Sequence, residues 1–352
     1  MEKDGEKGVY SEINGRDFDN EVKRDELPKF PENFVEFKGS YLPTYCGFQP
    51  DQCTSGLQKA IRRGFYRDAF QMGLELYRSG PILRTVGFNR LIIIAFEDVG
   101  LGDLFAIIDI YNLFKYRDKE EEELAFITGI YRLCGAMKSR INDNSVYLYP
   151  KSSVFDGTIE TWENDLIDAL KQKNGGHAHY YRQAIASHSG KVKIDGKGRE
   201  TNSQALIWNA FKKLFPDNIY LKTVEEIAML PNHKWKPAAQ MYQTHCINMI
   251  CLDIVPINDV MKEYTALFTT TKVVKPELQI YLDEHKERKN IKGMTDYAID
   301  KHTRKGNTLG RSFVYFFEVG AMLHNENPKF AKISNRYFQE VKDNMKASGM
   351  WK

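Results

Sequence analysis

The sequence predicts a mainly α-helical protein, in which a helical bundle is followed by a larger, mostly helical region with at most a small hairpin. Apolar residues recur at helical spacing from Tyr66 to Tyr77 and give one apolar face. The stretch Phe88–Phe96 is apolar nearly all round, which is typical of a helix at the centre of a bundle. No segment repeats with a period of about 20–50 residues, so the chain shows no repeat architecture.

An acidic, loosely ordered arm is predicted over residues 1–53, ahead of the bundle. Residues 1–37 contain eleven acidic and six basic residues, a net charge of −5, and Pro28 and Pro31 interrupt any helix there. The arm is either a solvated terminus or a tail that binds a partner or masks the protein's own surface.

The bundle is predicted over residues 54–150. Gly100 and Gly102 end the apolar stretch that begins at Phe88. Leu104–Phe114 and Leu124–Met137 follow as two amphipathic helices, separated by a charged run at 117–123. Four or five helices with short connections make a helical bundle.

A basic, mostly helical domain is predicted over residues 151–352. Its helical patterns lie at Ile159–Gln172, Ser203–Phe215, Pro237–Leu252, Val260–Phe268, Gly310–His324 and Pro328–Met345. The β-prone pieces Val192–Ile194 and Thr269–Val274 are predicted to form a hairpin.

Composition excludes several classes of protein. The longest apolar run, Leu91–Phe96, is far shorter than the roughly 20 residues that a membrane span needs. The amino end lacks the apolar core of a secretory signal. Five cysteines without a C-x-x-C pair favour a reduced, intracellular protein, cytoplasmic or nucleoid/nuclear. The net charge of +3 is too balanced to indicate a polyanionic partner by itself.

Part of the bundle resembles a known family. The segments that carry the resemblance are Leu57–Gly64, Asp68-Ala69, Asn89–Asp103 and Ala136–Ser139, and the most specific of them is Ala95–Asp103. Over about residues 54–150 the chain resembles the carboxy-terminal helical region of the MgsA/RarA family, the replication-maintenance AAA+ ATPases related to clamp loaders. The resemblance implies a collar-like module that oligomerises, works beside replication proteins and supports DNA transactions.

The family's ATPase activity is not expected here. About 53 residues precede the bundle, too few for an ATPase domain. The string from Gly190 to Gly196-Lys197 has the wrong spacing for a G-x-x-x-x-G-K-[S/T] phosphate loop, and Gly198 stands where Ser or Thr is required. No cofactor is therefore expected.

An acidic pair marks the first candidate site. Glu97 and Asp98 end a buried helix, where carboxylates oppose the helix dipole and need cationic partners. We expect a structural ion-pair hub with Arg62, Arg63 and Arg90. The alternative is an acid pair that binds a metal or acts as a general base.

A first basic segment, Lys171–Glu200, holds seven basic and two acidic residues. Its glycines predict a loop whose amides are free for phosphates, with Lys191, Lys193, Lys197 and Arg199 as nucleic-acid contacts. A solvated loop is the alternative. His177 and His179 lack an acid or cysteine at ligand spacing, so no metal site is expected.

A second basic segment, Lys286–Arg311, holds eight basic and three acidic residues. Its centre opens into the predicted helix Ser312–His324, an arrangement suited to phosphate. The expected phosphate or nucleic-acid contacts are Lys301, Thr303, Arg304, Lys305, Gly306 and Arg311. Asp300 and His302 are alternatively an acid–base pair, and a solvated turn is the third interpretation.

These patterns favour a nucleic-acid-associated accessory protein of DNA replication or repair that lacks ATPase activity. We expect it to bind DNA rather than RNA, and to form a homo-oligomer or bind a replication protein. The alternative is an enzyme that acts on a nucleotide or on modified DNA through Asp300 and His302. A purely structural scaffold is a third possibility. If the basic segments form one continuous surface, the nucleic-acid-binding protein is favoured. If His302, Asp300, Glu97 or His177 converge in one pocket, the enzyme is favoured.

Overall fold

The computed structural model describes residue 44 and residues 46–116, 121–149, 155–188, 191–193, 200–230, 237–270, 278–284 and 294–351. The fold is mainly α-helical, as predicted. The first six helices are α1 Pro50–Arg63, α2 Tyr66–Arg78, α3 Pro81–Ile94, α4 Leu104–Tyr116, α5 Glu122–Gly135 and α6 Ile141–Leu148. Pro50 supplies the first residue of α1, where its missing N–H costs no hydrogen bond, so α1 begins four residues before the predicted start at Thr54.

The rest of the chain continues the helical pattern around one short hairpin. Its elements are α7 Ile159–Lys171, α8 Gly175–Ser187, β1 Lys191–Lys193, β2 Glu200–Asn202, α9 Ala205–Leu214, α10 Ile219–Ala228, α11 Pro237–Cys251, α12 Asn258–Thr270, α13 Leu278–Glu284, α14 Arg304–Thr308, α15 Phe313–Tyr315 and α16 Pro328–Ala347. Strand β1 pairs antiparallel with β2, with Val192 opposite Thr201.

Three predictions about local structure are wrong. Residues 269–270 close α12 rather than form a strand, and the strand that pairs with β1 is β2, at 200–202; residues 271–274 of the predicted piece lie outside the described residues. Segment 175–187 is helical rather than a loop, because the Asn174 side chain caps α8 by accepting the His177 N–H at 3.1 Å. The expected helix over 310–324 is only α15 followed by a π-helical turn at Phe316–Gly320.

The larger of two described hydrophobic clusters draws on helices from α1 to α16, including Leu57, Phe96, Ile207, Tyr242 and Phe330. The smaller cluster consists of Phe316, Phe317, Ala321, Val341 and Met345. Most of the apolar stretch Phe88–Phe96 is buried in the larger cluster. Its composition is therefore explained by packing within the chain and gives no reason to expect a contact with a second copy. The division at residue 150 stays a prediction.

Two helices end in irregular turns that bear on the site. Helix α3 passes into a π-helical segment, Ala95–Val99, and Gly100 ends it with φ +49°. The second π-helical segment is Phe316–Gly320. Wide turns of this kind occur often at functional sites. Among the described residues, none of the helices is both long and apolar enough to traverse a lipid bilayer.

Candidate active site

A polar cleft of about 450 Å³ lies beside α1. Helix α1 contributes one side of it through six polar residues at helical spacing, and α3, the first π-helical segment, α6 and the segment 302–316 provide the rest. The lining residues are Asp51, Thr54, Ser55, Gln58, Lys59, Arg62, Arg90, Glu97, Asp143, Tyr147, His302 and Phe316. A volume of this size suits a nucleotide-sized ligand.

The predicted pair of Asp300 and His302 is formed at this cleft. Nδ1 of His302 lies 3.2 Å from both carboxylate oxygens of Asp300. Asp300 is fully buried, whereas 45% of the His302 side chain is exposed. The ring of Phe316 meets the imidazole edge to face at 4.7 Å between centroids. Because Asp300 engages Nδ1, the second ring nitrogen, Nε2, remains available to a bound molecule.

Lys59 holds the Asp300 carboxylate from the opposite side. Its Nζ lies 2.9 Å from Oδ2 of Asp300 and donates a hydrogen bond to Ser55. Burial raises the pKa of Asp300, but His302 and Lys59 outweigh it and bring the pKa below its usual range. Burial lowers the pKa of Lys59 to about 8, against the opposing pull of Asp300. The dyad thus has an ionised carboxylate that orients the imidazole.

The turn that carries the dyad is tightly closed. Thr303 is buried, and its Oγ1 accepts the Gly306 N–H at 3.0 Å. A Cβ on Gly306 would lie 1.8 Å from the backbone oxygen of Asp300, so only glycine fits this position. The backbone N–H of Arg304 donates to Asp51 Oδ2 at 2.9 Å, which joins the turn to the start of α1.

An ion-pair cluster centred on Asp98 forms the floor beneath the cleft. Nε of Arg62 lies 2.6 Å from Asp98 Oδ1, Nη1 of Arg140 lies 3.2 Å from the same oxygen, and Gln58 donates to Oδ2 at 2.9 Å. Although burial alone raises the pKa of Asp98, Arg62 and Arg140 lower it overall. Burial lowers the pKa of Arg140 to about 10. Asp98 therefore serves as a structural anion and does not contact the cleft.

The other residues of the expected hub have different partners. Glu97 lies 3.7 Å from Arg62 and lines the cleft. Arg63 donates to the backbone oxygens of Lys59, at 3.1 Å, and of Val319, and its guanidinium stacks 4.5 Å from the ring centre of Tyr297. Arg63 is thus bound to the helix α1 backbone and the second π-helical segment rather than to an acid.

Among the described residues that line the cleft, Arg90 is a cation that remains for a ligand. It lines the cleft, and its Nη1 donates to Oε1 of Gln58 at 3.3 Å. In the part of the chain that the structure describes, Arg90 makes no ion pair within 4.0 Å. Burial lowers its pKa, while the fields of Glu97 and Asp98 oppose that shift. A partly buried guanidinium in a polar cleft is suited to an anionic oxygen.

Two of the four described basic residues of the second basic segment, Lys301 and Arg311, make internal contacts. Arg311 donates to the backbone oxygens of Asp296, at 2.8 Å, and of Ile299, and it stacks on Tyr315. Nζ of Lys301 lies 3.3 Å from the ring centre of Phe313, and burial lowers its pKa to about 8. The expected helix that was to present free amides is also absent, because α14 and α15 are single short turns.

The structure describes the other predicted basic contacts only in part. Arg304 and Lys305 are exposed beside the cleft. Lys191 and Lys193 lie in β1, whereas Lys197 and Arg199 lie outside the described residues. His177 lies on α8, away from the residues that line the cleft. Within the described segments, no three histidine, cysteine, aspartate or glutamate side chains are grouped to hold a metal ion.

Sequence reasoning missed two contributors to this region: Arg140 and the polar stripe on α1 that includes Lys59. The stripe was readable in principle, because its members Asp51, Thr54, Ser55, Gln58, Lys59 and Arg62 follow the 3.6-residue period of a helix. No local pattern marks Arg140 as a partner of Asp98.

The strings that carry the family resemblance pack against each other. Ser139 donates its N–H to the backbone oxygen of Asp98 at 3.0 Å, and a Cβ on Gly102 would lie 2.5 Å from the oxygen of Met137. Comparisons with protein-family models, with curated proteins and with solved structures found no match.

Proposed function

We propose that this protein is an enzyme that acts on a nucleotide or on modified DNA, with the cleft as its active site and Asp300 and His302 as its acid–base pair. The observation that supports the proposal is the convergence of His302, Glu97 and Arg90 on one cleft, with Asp300 3.2 Å behind the imidazole. A positioned imidazole contributes about 10²–10⁴-fold to a proton-transfer step.

The roles follow from the contacts. Asp300, held by Lys59, fixes the tautomer in which His302 Nδ1 carries the proton. Nε2 then removes a proton from a nucleophile or returns one to a leaving group. Arg90 binds an anionic oxygen of the substrate, and a phosphate group matches that donor. Glu97 lies on the same cleft as a second acid–base group.

A second candidate is the nucleic-acid-associated accessory protein of replication or repair. Exposed Arg304 and Lys305 beside the cleft favour it, since a phosphate backbone that crosses this rim would meet both cations. In this proposal the MgsA/RarA-like bundle forms a homo-oligomer or binds a replication protein, and DNA binds without chemical change.

One experiment separates the two candidates. The full chain and its His302→Ala and Asp300→Asn variants are incubated with nucleoside mono-, di- and triphosphates and with single- and double-stranded DNA, and products are separated by chromatography. For the enzyme we expect turnover that falls at least about 100-fold in His302→Ala. His177→Ala is the matched control, because His177 lies on α8, outside the cleft, and should keep full activity.

Two results would decide against the enzyme. Turnover that survives in His302→Ala removes the dyad from the chemistry. An absence of products from every substrate, together with DNA binding that is lost in the Arg304→Ala/Lys305→Ala variant, supports the accessory protein instead.

A further inference from the structure

A second polar cluster is buried between α8 and α11, on helices that contribute nothing to the cleft. Its centre is Arg182, whose relative exposure is 3%. Nε and Nη1 of Arg182 have no hydrogen-bond partner within the described residues. Most buried arginines are paired, so these donors require an explanation.

The packing of the two helices shows what lies beside Arg182. A Cβ on Gly175, at the start of α8, would lie 3.9 Å from Sγ of Cys251, at the end of α11. One turn further along α8, Nε2 of His179 lies 3.1 Å from Oδ1 of Asn248. The helices are therefore antiparallel, and the next turn of α8, with Arg182, lies beside the preceding turn of α11, with Thr244.

Two further unpaired groups belong to that turn of α11. Thr244 is fully buried, and its Oγ1 has no partner in the described part of the chain. Gln243 is also buried, and its Nε2 is 3.4 Å from Oε1 of Gln204, but its own Oε1 accepts nothing there. Two N–H groups of Arg182, the Thr244 hydroxyl and the Gln243 amide oxygen therefore lack hydrogen-bond partners on neighbouring turns of α8 and α11.

The electrostatic surroundings of Arg182 point to an anion. Arg182 forms no ion pair within the described segments. Burial alone lowers its pKa to about 10, and no carboxylate opposes the shift. A buried guanidinium without a counter-charge is strongly unfavourable, so an anion that enters here gains a strong charge-assisted interaction.

We propose that Arg182, Thr244 and Gln243 form an internal site for a phosphate group, either inorganic phosphate or the phosphate of a nucleoside monophosphate. The guanidinium and the Thr244 hydroxyl donate to phosphate oxygens. The oxygen of Gln243 accepts from the P–OH of a singly protonated phosphate, which inorganic phosphate carries near neutral pH and which a nucleoside monophosphate gains by taking up a proton from solvent when it binds. Sulfate and carboxylates have no such proton near pH 7, so the site selects phosphate over both.

Isothermal titration calorimetry of the full chain with inorganic phosphate tests the site. We expect saturable binding that becomes roughly tenfold to 100-fold weaker in Arg182→Met, the equivalent of losing one or two charge-assisted hydrogen bonds. Arg336→Met is the matched control and should bind as the parent chain does, because Arg336 is exposed on α16 beside Glu340. Absence of binding by the parent chain, or equal binding by Arg182→Met, overturns the proposal.

A second variant keeps the test decisive if Arg182→Met fails to fold. Gln243→Glu places a carboxylate beside Arg182, so we expect a higher melting temperature and loss of phosphate binding. A lower melting temperature with phosphate binding retained would show that Gln243 does not reach Arg182 or its ligand, and would overturn the site.

Further titrations with other ligands identify the source of the bound phosphate and the selectivity of the site. These titrations use the Arg90→Met variant, whose cleft lacks the guanidinium that is proposed to bind phosphate. Tighter binding of a nucleoside monophosphate than of inorganic phosphate by this variant assigns the Arg182 site to a nucleotide, and the reverse assigns it to free phosphate. Sulfate that binds as tightly as phosphate contradicts the role of Gln243. His302→Ala should leave phosphate binding at Arg182 unchanged, so this proposal and the proposed activity of the cleft fail independently.

Discussion

Nζ of Lys59 lies 2.9 Å from Oδ2 of Asp300, and both side chains are almost completely buried. This ion pair joins helix α1 to the turn at Asp300, which lies near the carboxyl end of the chain. The pair also supports the imidazole of His302 in the cleft. The geometry of the candidate active site therefore depends on a charge pair that the solvent hardly reaches.

Removing one partner of this pair should be costly. We expect Lys59→Met to lower the free energy of unfolding by about 3–5 kcal/mol, because it leaves the Asp300 carboxylate buried without its counter-charge. The double variant Lys59→Met/Asp300→Asn should lose less than the sum of the single variants. Urea denaturation measures all three, and Lys171→Met, in an exposed pair with Asp168, is the control. Additive losses would contradict the coupling.

Lys138 provides a test of pH dependence. It is fully buried, and its Nζ donates to the backbone oxygens of Leu133 at 2.8 Å, Cys134 at 3.0 Å and Ala136. Burial lowers its pKa from 10.5 to about 8, against the opposing field of Cys134. Between these values the unfolded chain binds a proton that the folded chain has lost, so this group makes stability rise with pH.

The increase in the free energy of unfolding that is attributable to Lys138 should be on the order of 3 kcal/mol between about pH 8 and pH 10.5. Urea denaturation of the parent chain and of Lys138→Met at pH 7.5 and pH 10 measures it, since titrating tyrosines affect both chains alike. We expect the stability of the parent chain relative to the variant to increase with pH. A constant difference would show that the pKa of Lys138 is not lowered.

Gly306 tests the tight turn around the dyad. Gly306→Ala should destabilise the protein by about 2–3 kcal/mol, because its Cβ would collide with the backbone oxygen of Asp300, which hydrogen bonds from Thr303 hold in place. The same variant should reduce any activity that depends on His302. Gly176→Ala is the control, since its Cβ would meet nothing closer than 3.5 Å. Thermal unfolding that is unchanged in Gly306→Ala would refute the close packing.

Substitution of Arg311 should affect thermal stability, whereas substitution of Arg304 and Lys305 should affect the salt dependence of DNA binding. Arg311→Ala should lower thermal stability, because it removes hydrogen bonds to the backbone oxygens of Asp296 and Ile299, and should leave the salt dependence of DNA binding unchanged. If DNA binds at the rim, Arg304→Ala/Lys305→Ala should reduce the slope of log affinity against log salt by about two units. A changed slope in Arg311→Ala alone would place that residue on phosphate.

ATP hydrolysis through a phosphate loop is not expected. The sequence contains no G-x-x-x-x-G-K-[S/T] string, so the purified chain should show no release of phosphate from ATP that depends on Lys197, with or without DNA. A colorimetric phosphate assay checks this. Turnover that is lost in Lys197→Ala and kept in His302→Ala would show that the segment around Gly196 binds nucleotide after all.

Most helices were predictable because a helix is specified by residues within a few positions of each other. The apolar period from Tyr66 to Tyr77 corresponds to α2, and the pattern from Ile159 corresponds to α7. Prediction failed where a cap or a long-range contact decided the outcome. Glycines at 175 and 176 suggested a loop, but Asn174 begins a helix there, and α15 ends within one turn.

By itself, the sequence determined the helical class of this protein and the exclusion of a phosphate loop, and it offered the pair of Asp300 and His302, two positions apart, as one of three interpretations of the second basic segment. The tertiary structure alone decided that Lys59 supports this pair, that Arg140 neutralises Asp98 and that Arg311 turns inward. The physical reason is range. Backbone propensity and side-chain periodicity act over a few residues, whereas the partner of a buried charge is fixed only when distant helices pack and exclude water around it.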